Sequence, residues 1–261
     1  TRCWPFDTNF LPLVQAVHTK CPTVKKWVAL ADADKLPQDT GIPNLVSYEA
    51  WITGQADTYD WPEFDENSAS SMCYTSGTTG NPKGVLYSHR STTLHALAAM
   101  LPDAMNLSAR ESVLPVVPMF HVNAWGTPYS VALVGAKMVF PGPKLDGASL
   151  YELFEQEKVT FSAGVPTVWL GLLQHVQANN LKFSTFRRTV IGGSACPPAM
   201  IRTLKSMDVE VIHAWGMTEM SPLGTLSKLG WEQARRTPDA QRALREKQGH
   251  VIYGVDMKIV G

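Results

Sequence analysis

The chain has 261 residues, 44% hydrophobic and 18% charged, with 23 basic and 23 acidic side chains and a formal net charge of zero. That balance is an ordinary globular one, enough for one large domain or two small ones, and the lack of a basic run argues against a nucleic-acid partner. No apolar run approaches the roughly 18 residues of a spanning helix, and Cys3, Cys21, Cys73 and Cys196, with no metal-ligand spacing, read as reduced thiols of a cytoplasmic protein without a zinc site.

In chain order, Asn9–Lys20 places Phe10, Leu13, Val14 and Val17 on one helical face, and Val24–Ala31 follows as a strand. Asp32–Pro43 is loop. Ser47–Thr53 reads as a short helix capped by Ser47 with Glu49 in its first turn. Asp57–Ser71 is acidic and aromatic, a surface connection. Ser88–Met105 is a helix capped by Ser88, with Leu94, Leu97, Ala98 and Leu101 inward and Pro102 near its end. Asn106–Glu111 is a polar seam. Val113–Met119 carries Pro115 and Pro118, which suit an edge strand or a strand end.

From there the units alternate. Helices are expected at Trp125–Val134, Gly147–Gln156, Pro166–Ala178 and Pro197–Met207. Strands are expected at Lys137–Phe140, Val159–Ala163, Arg188–Ile191 and Val209–His213. Such alternation predicts an α/β fold of mostly parallel sheet covered by helices on both faces. Trp231–Lys247 is charged and amphipathic, and Val251–Val260 alternates as the start of a β-rich part. The expected divisions are a first α/β subdomain at 1–108, a second at 109–222, and the start of a β-rich subdomain at 223–261.

Between Met72-Cys73-Tyr74 and Val85-Leu86-Tyr87, both strand-like and read as buried, lies the stretch with the densest chemistry. Thr75, Ser76, Gly77, Thr78, Thr79, Gly80, Asn81, Pro82, Lys83 and Gly84 hold three glycines, four hydroxyls and one lysine. Glycines let successive N–H groups turn into one concavity, hydroxyls add donors, and Lys83 adds a full positive charge. That combination suits a polyphosphate. It is not a Walker A loop, because Asn81 and Pro82 separate Gly80 from Lys83. The plain alternative is a flexible Gly/Ser/Thr tether.

This loop resembles the signature loop of the AMP-forming adenylating enzymes, the superfamily of acyl-CoA synthetases, firefly-type luciferases and peptide-synthetase adenylation domains. Three further motifs agree with it in order. Pro118–Gly126 resembles the acyl-pocket motif of fatty acyl-CoA synthetases. The resemblance makes Trp125 a gate to an acyl tunnel, with His121 and Val122 beside the acyl group and adenylate. Peptide-synthetase domains usually carry an aspartate where His121 stands, which disfavours an amino-acid substrate. Ile191–Pro197 resembles the segment that puts Gly193, with Ser194, in the adenine and acyl-phosphate pocket. His213-Ala214-Trp215-Gly216-Met217-Thr218-Glu219 resembles the adenine motif, with Trp215 in place of the commoner tyrosine. The resemblance assigns Thr218 to the α-phosphate, Glu219 and Thr75 to Mg²⁺, and the backbone of His213 and Ala214 to the adenylate. Lys83, Thr218 and Glu219 are the expected catalytic groups. Gly216, where acetyl-selective relatives carry tryptophan, implies an open acyl pocket and a medium- or long-chain acid.

The function implied is ATP-dependent activation of a carboxylic acid through acyl-AMP to acyl-CoA, with Mg²⁺ as cofactor and ATP and CoA as co-substrates. Alternatives are a CoA ligase for an aryl or methylthio acid, and a nucleotide or acyl-adenylate binding module without catalysis. A homodimer is an inherited expectation, as is a cytoplasmic or membrane-peripheral location. There is no secretory leader at the start. The chain opens at Thr1 and ends at Gly261 without the family's ribose-binding aspartate motif or its small domain with a catalytic lysine. It is therefore expected to be a fragment of the large domain, unable to complete adenylation efficiently alone.

Overall fold

The computed structural model of the chain describes residues 2–75 and 80–260. They form two compact units, Thr1–Glu63 and Phe64–Gly261. In the first, strands β1 (Cys3–Phe6), β2 (Lys26–Ala29) and β3 (Leu45–Ser47) make a three-stranded parallel sheet in that order. Helix α1 (Leu11–Val17) lies between β1 and β2 in the chain, flanked by single 3₁₀ turns. Of the four apolar residues expected inward there, only Val14 is buried, and Phe10 and Leu13 are exposed. The helical stretch is too short and irregular to present a full stripe. Helix α2 (Tyr48–Ile52) is capped by Ser47, whose Oγ accepts from the Ala50 N–H at 3.0 Å.

The second unit opens with an antiparallel hairpin, β4 (Ala69–Thr75) and β5 (Lys83–Ser88), a two-stranded sheet of its own. The flanks expected to be buried on both sides bury only one. Cys73 and Tyr87 point into the core, whereas Met72, Tyr74 and Leu86 are exposed on the other face. The period of two along a strand explains the split. Helix α3 (His89–Met100) begins with a reciprocal capping box between Ser88 and Ser91. Its buried face is His95, Ala96, Ala98 and Ala99, while the expected Leu94, Leu97 and Leu101 are 45%, 42% and 45% exposed. Small side chains let α3 approach α5 (Thr127–Val134) closely enough for the Ser130 hydroxyl to donate to the Ala96 carbonyl at 3.3 Å.

The remaining strands are β6 (Ser112–Pro115), β7 (Lys137–Met138), β8 (Phe161–Gly164), β9 (Arg188–Ile191), β10 (Glu210–Gly216), β11 (Leu223–Leu226) and β12 (His250–Val251). They form one seven-stranded sheet in the order β12-β11-β10-β9-β8-β6-β7. Pairing is parallel from β7 through β10 and antiparallel from β10 through β12. Alternate residues of one strand enter opposite cores: Val113, Val190 and Ile212 on one side, Leu114, Ile191 and Val211 on the other. Helices α6 (Gly147–Gln156), α7 (Pro166–Ala178) and α8 (Pro198–Ser206) supply the second core, which centres on Phe154, Trp169 and Phe186. Residues on either side of position 108 share the first core, and β11, beyond position 222, continues the same sheet. Past β12 the expected alternating strand stops after Val251. Helix α9 (Pro238–Arg245) precedes it.

His95 is the one titratable side chain that α3 buries, and its Nε2 accepts the Leu223 N–H at 3.2 Å. Burial pushes its pKa from 6.5 down to about 4. The folded chain therefore resists a proton that the unfolded chain takes up, so this stability is full above pH 6.5 and is lost as pH falls toward 4. Urea midpoints of the wild type should drop across that window, and His95→Gln, which does not titrate, should flatten the drop. An equal drop in both would remove His95 as its source.

Candidate active site

The parallel strands β6, β9 and β10 all end on the same side of the sheet, where α/β folds place ligands. Beyond those ends lies a cleft of about 180 Å³. One wall carries His121, Val122 and Trp125, a second carries Gly192 and Gly193, and a third carries Ala214 through Thr218. Segments that resemble acyl, acyl-phosphate and adenine motifs, from His121 to Thr218 in the chain, thus meet around one space.

The helix expected at Trp125–Val134 forms from Thr127 as α5, and the first wall is the turn that precedes it. In α4 (Val122–Trp125) every residue has positive φ, at 47°, 44°, 50° and 58°, and Gly126 follows at 75°. This is a left-handed turn. Asn123, a residue type that tolerates that conformation, pins it: its Nδ2 donates to Ser71 Oγ at 2.7 Å and Tyr129 Oη at 3.0 Å, and its Oδ1 accepts from Cys73 Sγ at 3.3 Å. Gly126 closes the turn against the His95 ring, which a Cβ would approach to 2.8 Å. The turn seats Trp125 beside Gly193, whose own Cβ would lie 3.7 Å from the indole.

In the third wall, Gly216 lines the cleft and also approaches backbone closely. A Cβ there would meet the Pro222 carbonyl oxygen at 2.1 Å and Leu223 Cα at 3.2 Å. The position faces the backbone of the strand-to-strand connection, beside the register shift between Trp215 and Gly216. Glycine is required by that close approach, and a side chain would break the pairing before it filled the cleft.

His213 lies in β10 but its ring turns away from the cleft. Its Nε2 accepts the Cys196 N–H at 3.1 Å, which leaves the proton on Nδ1 to be donated to the Glu246 carbonyl at 3.0 Å. Burial lowers its pKa, which keeps that tautomer neutral. Ser194 is exposed and outside the lining. Glu219 is exposed in the 3₁₀ turn Thr218–Met220, just beyond the lining residue Thr218. Thr75 and Lys83 pair across the mouth of the hairpin, on the same face as Cys73 and Tyr87. Gly80 is exposed at φ 101°. Ser76, Gly77, Thr78 and Thr79 lie outside the described residues.

Hairpin and adenine motif are joined by Tyr87, whose hydroxyl donates to the Thr218 carbonyl. Burial, with Cys73 and Glu219 nearby, holds this phenol well above its ordinary pKa, so it remains a donor. Thr75 and Glu219 supply hard oxygen donors. Among the described residues no group of three or more His, Cys, Asp or Glu could hold a metal unaided. One carboxylate supplemented by nucleotide oxygens is the sparse donor set that Mg²⁺ accepts. Sequence reasoning assigned no role to Met105, Tyr87, His95, Asn123, Pro222 or Leu223. Asn123 stands inside a quoted motif; the others become visible only through long-range contacts.

A model of the family described as AMP-binding enzyme matches residues 9–261. The chain belongs to the AMP-binding enzyme family. It is 54% identical over 255 residues to a medium-chain-fatty-acid–CoA ligase of Ectopseudomonas oleovorans, covering 97% of this chain and 46% of that protein. It is 52% identical over 260 residues to a 3-methylmercaptopropionyl-CoA ligase of Ruegeria lacuscaerulensis, covering 98% and 47%. The chain thus spans about half the length of these relatives. Among solved structures, an anthranilate CoA ligase, AuaEII, aligns with TM-score 0.80 at 21% identity, over 100% of this chain and 46% of that one. The N-terminal domain of FACL13 from Mycobacterium tuberculosis aligns with TM-score 0.76 at 24% identity, over 95% and 56%. Those two likenesses establish the α/β fold of this AMP-binding enzyme chain.

Gly216→Ala should cost on the order of 2 kcal/mol or more of stability, because the methyl meets fixed backbone. Thermal unfolding measures this; an unchanged midpoint would show that the connection at Pro222 yields easily.

Proposed function

We propose that the protein carrying this chain activates a carboxylic acid with ATP, through acyl-AMP, and passes the acyl group to CoA. A single observation carries the reading: one cleft gathers the three motif walls, and Tyr87 ties it to the hairpin that bears Lys83. The acid's carboxylate oxygen attacks the α-phosphorus of ATP. A C–O–P bond forms and the bond to pyrophosphate breaks. Lys83 and the hydroxyls of the preceding loop hold the outer phosphates, and Thr218 contacts the α-phosphate. Mg²⁺, bound by Glu219, Thr75 and phosphate oxygens, would supply neutralisation of the charge that builds on the phosphates. Trp125 and Val122 hold the acyl chain, Gly193 the acyl phosphate and Trp215 the adenine. The CoA thiolate then attacks the acyl carbon and AMP leaves.

The acid is a medium- or long-chain fatty acid, a reading supported by the apolar Trp125 wall and by the similarity to the medium-chain-fatty-acid–CoA ligase of Ectopseudomonas oleovorans. The similar identity to a 3-methylmercaptopropionyl-CoA ligase supports a second reading, a short methylthio acid. A panel from acetate to palmitate, with 3-(methylthio)propionate and aryl acids, separates them in the natural full-length protein. Each buried methylene is worth about 0.8 kcal/mol, about fourfold in kcat/KM. That quantity should climb from acetate until the pocket is full. A profile that peaks at the methylthio acid would favour the second reading, and one that peaks at acetate would sink the first.

Glu219→Gln should lower acid-dependent ATP–pyrophosphate exchange by about a hundredfold, the scale of a lost electrostatic stabiliser. Exchange within about twofold of wild type would remove Glu219 from the chemistry.

A further inference from the structure

Thr218 and Leu223 bound the connection from β10 to β11, and Glu219 lies within it. Both ends are held by side chains of one continuous segment, the strand and helix that follow Lys83. Tyr87, in β5, donates its hydroxyl to the carbonyl of Thr218. His95, in α3, accepts the N–H of Leu223 at 3.2 Å. Both side chains are buried, at 6% and 8% exposure, so neither bond exchanges freely with water. Tyr87 shares its strand face with Thr75 and Lys83, at the mouth of the phosphate-loop hairpin.

We infer that Tyr87 and His95 are positioning residues: together they form a two-point clamp that fixes the Thr218–Leu223 connection, and with it Glu219, against the hairpin that carries Lys83. The inference rests on the adenylation reading above. Neither residue touches the reacting atoms. Each acts through backbone: Tyr87 through the carbonyl of the residue before Glu219, His95 through the amide that starts β11. The clamp matters because Glu219 is exposed and its 3₁₀ turn buries no side chain of its own. Backbone bonds from the Met217 N–H to the Pro222 carbonyl and from the Met220 N–H to the Met217 carbonyl, both 2.9 Å, set the local shape of the connection, and the two side-chain bonds set where that shape stands against its neighbours. A displacement of about 1 Å in a catalytic group is enough to cost a large factor in rate.

The test uses the natural full-length protein and its Tyr87→Phe variant, which removes one hydroxyl and keeps the ring in the core. Hydrogen–deuterium exchange should rise in peptides spanning 217–223 and stay unchanged in α6 and α7. Acid-dependent ATP–pyrophosphate exchange should fall about three- to tenfold in kcat, the scale of one lost hydrogen bond. The Mg²⁺ concentration for half-maximal rate should rise by a similar factor, while KM for the acid stays within about twofold. His95→Leu, which loses the acceptor at the other end, should shift the same quantities in the same direction. Unchanged deuterium uptake at 217–223 in Tyr87→Phe would overturn the clamp whatever the activity. Raised uptake with unaltered kcat and Mg²⁺ requirement would overturn the positioning role. A wild type without pyrophosphate exchange for any acid would instead overturn the adenylation reading and the catalytic purpose of the clamp, while deuterium uptake would still report whether the tie exists.

Discussion

A backbone of L-residues does not hold four successive non-glycine residues at positive φ without compensation. The turn Val122–Trp125 carries a cost on the order of 1–2 kcal/mol per residue, so about 4–8 kcal/mol in all. The three hydrogen bonds of Asn123 return about 1 kcal/mol each. Burial of Val122 and Trp125 returns on the order of 2–3 kcal/mol each. The two sides balance, and the rest of the cleft depends on that balance. Trp125 meets Gly193 because the turn runs left-handed, Gly126 accepts the His95 ring because it has no side chain, and His95 in turn holds β11. The strain is thus local to the wall that would meet the acyl chain, where such backbone tends to be found.

Much of the fold was legible because its helices and strands are long or repeat with a plain period. Gly147–Gln156, Pro166–Ala178 and Arg188–Ile191 fall where their apolar spacing puts them. The failures share one cause, contacts set by distant residues. In α3 the leucines looked like the buried stripe, yet the alanines are buried, because closeness to α5 rewards small size over hydrophobicity. Strand β11 carries Gly224 and follows a proline, so nothing in Leu223–Leu226 announced that it would pair with β10. The left-handed turn Val122–Trp125 was not anticipated, and it delays the helix expected from Trp125 to Thr127, since periodicity carries no sign.

The candidate site divides in the same way. Residues with distinctive chemistry, such as Lys83 and Glu219, could be picked from motifs. Those that arrange them have ordinary side chains in ordinary places. Tyr87 looked like one more apolar residue of a strand, and His95 carried no signal of its own within the helix. Gly216 was legible as special, but its close approach to the Pro222 carbonyl was not, because that neighbour comes from the connection to β11.

The mounting of strands β4 and β5 has a further consequence. β4 and β5 pair only with each other, and one face of the pair, Met72, Tyr74 and Leu86, is left to solvent. A two-stranded ribbon is marginal by itself, so this one depends on its inner face, where Cys73 and Tyr87 pack into the core shared with the seven-stranded sheet. In this chain the segment that reads most strongly as chemistry hangs on a ribbon held to the rest by one face alone.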